Sequence, residues 1–110
     1  PDMTMNEAIA ALLENIVADY AKFQNWLNRD AAEARVQKFR DAFEVIDGKK
    51  YIKIVKEGSV WGFIVKQDDG KFRAGDILKA ASWATPAKNA ARGNIFGNYS
   101  VAWTGPHYLR

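Results

Sequence analysis

At 110 residues the chain has room for one domain, and with 48% apolar and 13% aromatic residues it can build a core, which excludes a disordered chain. It contains no cysteine, so a disulfide framework and a thiolate zinc site are excluded. The net charge of +3 is split: residues 1–47 carry nine acids and five bases, a net of −4, and residues 48–110 carry four acids and eleven bases, a net of +7.

Thr4-Met5-Asn6-Glu7 reads as a capping box that opens a helix. Apolar residues then recur at Ile9, Leu13, Ile16, Tyr20, Phe23 and Leu27, widened by Leu12, Val17 and Trp26, a stripe that suits a core face or self-association. The register breaks at Asn28-Arg29-Asp30 and resumes at Ala32, Val36, Phe39, Phe43 and Ile46. This predicts either a helix pair, with Asp30 as the second N-cap, or one kinked helix. Gly48 is expected to end the helical part.

The rest reads as strands. Tyr51–Val55 and Val60–Val65 are rich in β-branched and aromatic residues around a Glu57-Gly58 turn, predicting an antiparallel hairpin. Further short strands are expected at 71–74, 77–81 and 99–103, with a turn at 67–70. The expected fold is therefore a single α+β domain, helical over 1–48 and strand-forming over 49–110. Its small antiparallel sheet of about five strands could bend into an Sm-like barrel.

No apolar run approaches the roughly 20 residues that span a bilayer, and no basic stretch precedes an apolar one at the N-terminus. Neither a membrane partner nor a signal peptide is expected, and the cytoplasm is the default compartment. Catalytic motifs are missing, His107 is the sole histidine, and Asp68-Asp69 suits a turn better than a metal. The expectation is a protein that is not an enzyme and needs no cofactor.

The segment from Lys79 to Asn94 is the candidate binding site. Thr85-Pro86 looks like a helix start and Gly93 a stop, which would offer backbone N–H donors to an anion. Lys79, Lys88 and Arg92 add charge with no acid after Asp76, Trp83 could stack on a base, and Ser82, Thr85, Asn89 and Asn94 supply polar edges. Arg92 is expected at the surface or in a cleft, near Lys79, Lys88 or the turn at Thr85. The alternative is a structural connector with Trp83 in the core and Arg92 tied to backbone carbonyls.

The run K-A-A-S-W-A-T-P-A-K-N-A-A-R-G-N, from Lys79 to Asn94, resembles a block in small phage-encoded proteins of uncharacterised function. That resemblance implies a phage origin and no particular activity. More distantly, helices followed by a sheet with a basic Arg/Asn segment resemble phage anti-defence sponges that sequester cyclic nucleotide signals of the Thoeris system. The leading expectation is an oligomer, joined through the N-terminal helices, that binds a phosphate-bearing small ligand such as a nucleotide. Two alternatives are a small-barrel module for single-stranded nucleic acid and an assembly protein with no small ligand.

Overall fold

Thr4 and Glu7 cap each other. The Thr4 hydroxyl accepts from the Glu7 N–H at 3.1 Å, and the Glu7 carboxylate accepts from the Thr4 N–H at 2.9 Å. This pair opens α1 (Met5–Leu27) in a computed structural model that describes residues 3–27 and 29–106. Asn28 and His107 lie outside those residues. Thr4→Ala should cost about 1 kcal/mol and lower the melting temperature by roughly 4–6 °C. A circular dichroism melt that superimposes on that of the parent would remove the cap from the account.

The first apolar stripe is buried within the chain only over its first part. Ala8, Ile9, Leu12, Ile16 and Val17 are buried against the sheet, while Phe23, Trp26 and Leu27 at the helix end stay exposed. A second helix, α2 (Ala32–Asp41), follows, so the chain has the helix pair and not one kinked helix. Asp30 is not its N-cap. Ala31 takes that position at φ 62° with no side-chain cap, and the reversal is closed by Ala32 N–H donating to Arg29 O at 3.2 Å. An exposed Arg40–Glu14 ion pair at 3.0 Å ties α2 to α1.

The helix does not run to Gly48. It ends at Asp41, and Phe43–Asp47 form β1. The spacing of Phe39, Phe43 and Ile46 fits a helix, but Phe43-Glu44-Val45-Ile46 also suits a strand, and so short an apolar run cannot decide between the two. Pairing with β2 (Tyr51–Lys56) decides it, from Phe43 opposite Lys56 to Asp47 opposite Ile52. Gly48 serves the turn between them, its N–H donating to Tyr51 O at 2.9 Å; a Cβ there would lie 2.7 Å from that oxygen.

β2 and β3 (Ser59–Val65) form the expected hairpin, with Tyr51 opposite Val65. Glu57 and Gly58 both take positive φ, 47° and 78°, as a two-residue primed turn requires. Ile54 faces Gly62 while Val55 faces Val60, so Trp61 is the extra residue of a bulge. It joins the helix-side core, and its indole N–H donates to Ala102 O at 3.1 Å. β4 (Ile77–Leu78) completes an antiparallel sheet of order β1-β2-β3-β4, and β5 (Val101–Ala102) with β6 (Gly105–Pro106) make a separate small hairpin.

The expected barrel does not close. Residues 66–100 outside β4 run as turns and isolated bridges, such as Asp69 with Phe72 and Ala80 with Pro86, and the expected strand at 71–74 is reduced to the first of these. With α1 filling one face of the sheet, the strands have no need to curl around a common interior. The alternation of β2 divides the core in two. Ile52 and Ile54 pack with Ile9, Leu12 and Ile16, whereas Phe63, Val65, Phe72 and Leu78 pack on the other face. Each such residue is stabilised by about 1.5–3 kcal/mol on burial. No helix among the described residues is long and apolar enough to cross a membrane.

Candidate functional site on the outer face of the sheet

Tyr51 and Lys53 alternate with Ile52 and Ile54, so they project from the sheet face that α1 does not cover. Lys53 sits directly opposite Phe63. Its Nζ lies 5.9 Å from the Phe63 ring centroid and 4.1 Å from that of Trp83. The Lys88 Nζ lies 5.9 Å from the Tyr51 ring. Beside these groups is a depression of about 260 Å³, lined by Lys49, Lys50, Tyr51, Lys53 and Phe63, among others, and by no acidic side chain among the described residues. Asp47, at the end of β1, is held by Lys66 at 2.7 Å.

Trp83 reaches this face on a turn that Ser82 and Thr85 build. Their hydroxyls lie 2.8 Å apart, and the Ser82 oxygen also accepts from the N–H groups of Ala84 and Thr85, at 3.3 and 3.2 Å. The N–H groups of Ala81 and Ser82 close on Thr85 O at 3.0 and 3.1 Å. Trp83, at the tip, is 52% exposed. The result is an aromatic and cationic platform: Tyr51 and Trp83 supply rings above the buried Phe63, and Lys49, Lys50, Lys53 and Lys88 supply charge. A cation over a ring is attracted to its negative face. Such an arrangement can hold a flat base against a ring and phosphate oxygens against ammonium groups.

The sequence pattern of a family of unknown function (DUF7717) matches residues 2–106. The chain belongs to that family. Searches of curated proteins and of solved structures give no match.

The site's geometry corrects the expected segment in several places. Its described residues form no helix. The stretch from Pro86 to Gly93 is shorter than the roughly 12–15 residues at which an isolated helix becomes marginally stable. Pro86 instead bridges Ala80, and Ala87 N–H donates to Lys79 O at 2.7 Å, so the chain doubles back on itself. The helix N-terminus expected at Thr85 is absent, and any anion here would be held by lysines.

Arg92 is not at the surface. It is 2% exposed, and its backbone N–H donates to Ile77 O at 2.7 Å. Asn94 is structural: its amide donates to Ala74 O at 2.9 Å and Asp76 Oδ1 at 3.0 Å, and its oxygen accepts from Phe96 N–H at 2.8 Å. Asn89 gives its carbonyl to the Lys71 ammonium at 2.9 Å. Lys79 is exposed but lines a different depression, with Val60, Trp61 and Pro106. Of the expected residues, then, Trp83 and Lys88 reach the platform, and Ser82 and Thr85 shape the turn that carries Trp83.

Lys49, Lys50, Tyr51, Lys53 and Phe63 were not expected in a site. The signal available was the alternation of Tyr51 and Lys53 along one predicted strand. Among the described residues no group of three His, Cys, Asp or Glu side chains could hold a metal. Asp68 accepts from Ala74 N–H at 2.9 Å, in keeping with a turn residue.

Proposed function

We propose that the outer face of the sheet binds a phosphate-bearing ligand with a flat ring, of the nucleotide class, and does so without turnover. The observation that carries this reading is the Lys53 ammonium 4.1 Å over the half-exposed Trp83 ring, beside a depression lined by Lys49, Lys50 and Lys53. Stacking of a base on Trp83 would contribute about 1–3 kcal/mol. Each charge-assisted phosphate contact would contribute roughly 1.5–3 kcal/mol. The resemblance of the Lys79–Asn94 run to small phage-encoded proteins supports a phage origin. Self-association, on this reading, would use Trp26 and Leu27, which α1 leaves exposed.

A second reading, a platform for single-stranded nucleic acid, is favoured by the way lysines and rings line an open strand surface. Both readings are tested by titrating the protein with ATP and with a short oligothymidylate while following tryptophan fluorescence. Saturable binding of ATP is the expected result. Trp83→Ala and Lys53→Ala should each weaken it by about tenfold while moving the melting temperature by less than roughly 3 °C. Binding of the oligonucleotide alone, weakening steeply with salt, would replace the first reading by the second. If neither ligand binds, both readings fall and a purely structural role is left.

A further inference from the structure

We propose that a second cavity, on the helix side of the sheet, is a binding site for a small organic anion with a flat apolar body. The cavity opens between α1, α2 and the β2–β3 turn and has a volume of about 390 Å³, within the roughly 300–1,000 Å³ of ordinary ligand pockets.

Its apolar lining is aromatic. Tyr20 and Phe39 stack with centroids 4.0 Å apart, and Trp103 stands edge-on to Tyr20 at 5.3 Å. Phe23 lies 5.4 Å from Trp103. The small β5–β6 hairpin is fastened over this cluster, because Trp103 N–H donates to Asp19 Oδ2 at 3.0 Å. Rings held this way offer flat slots into which another flat group packs without reordering the wall.

Arg35, Lys38 and Lys56 also line the cavity, together with Glu57. The Lys56 Nζ lies 5.5 Å from the Phe39 ring, placing a cation over the aromatic wall. Arg35 is held in place from inside. Its Nε donates to the side-chain oxygen of Gln24, which is only 7% exposed, and its Nη1 donates to Asp30 O at 3.2 Å. A buried amide on an otherwise apolar helix face is costly unless it is bonded. Here it orients a guanidinium beside an aromatic pocket. An oriented guanidinium suits the two oxygens of a carboxylate, sulfonate or phosphate, and loses less entropy on binding than a free side chain would. The flat body of the ligand would meet the rings while its charged end meets Arg35 and the two lysines.

This site is independent of the nucleotide reading, since it lies on the opposite face and shares no residue with the platform. The test is a titration of the full chain, labelled with nitrogen-15, with 2-naphthoate and with its neutral analogue 2-naphthamide. Naphthoate should give saturable shifts at Phe23, Arg35, Phe39 and Trp103 and leave Tyr51 and Trp83 in place. Naphthamide should bind at least about fivefold more weakly, and the exposed Lys38→Ala and the rim Lys56→Ala should each weaken naphthoate about threefold or more with the melting temperature retained. Equal binding of the two probes would overturn the anion assignment. Shifts confined to the Trp83 face, or no saturable shift up to about 10 mM, would overturn the site itself.

Discussion

Arg92→Ala should lower the melting temperature by roughly 8–20 °C, through a loss of about 2–4 kcal/mol, and leave nucleotide binding at the outer face within about twofold of the parent. The side chain is 2% exposed and stands between Ala91, which packs on the outer core, and Gly93, whose carbonyl accepts from Ile77 N–H at 2.9 Å. Truncation would remove a long, packed stem and open a cavity where the chain is fastened to β4 on both sides of residue 92. Arg92→Met, which keeps most of the stem, should recover part of the loss. A ligand-binding arginine would behave in the opposite way, with an unchanged melt and binding weakened at least about tenfold. Parallel melts and titrations of the two variants separate these outcomes.

Gly93→Ala should be at least as damaging, at about 3–5 kcal/mol, combining backbone strain with overpacking. Gly93 has φ 133°, and a Cβ there would lie 2.6 Å from Tyr99 Cβ and 2.8 Å from Asn98 O. Tyr99 cannot simply move aside, because its hydroxyl accepts from the Asn15 amide of α1 at 2.6 Å. Gly58→Ala is the control. Gly58 also has positive φ, 78°, but a Cβ there meets nothing within 4 Å, so only the conformational cost of about 1–2 kcal/mol remains. Denaturant melts giving equal losses at the two positions would show that crowding against Tyr99 contributes nothing.

Several features of this chain follow from residues close together in sequence. The Thr4–Glu7 capping box, the buried stripe from Ile9 to Val17, the break before Ala32 and the Glu57-Gly58 hairpin turn all arise from capping, periodicity and turn chemistry, which act over a few residues. Others were decided by partners far along the chain. Phe43–Asp47 became a strand because β2 offered a paired edge, although its apolar spacing also fitted a helix. Thr85-Pro86 carried a valid helix-start signal, yet that stretch is bonded to Ser82 and bridged to Ala80 instead. Arg92 went inside although its charge suggested the surface. The two lined surfaces belong to this second group. Lys53 meets Trp83, and Arg35 meets Gln24, only when separate elements dock. Local chemistry marks where a helix or turn can begin; which of those starts are used, and which side chains share a face, is determined by long-range packing and strand register, because burial and pairing energies outweigh local preference.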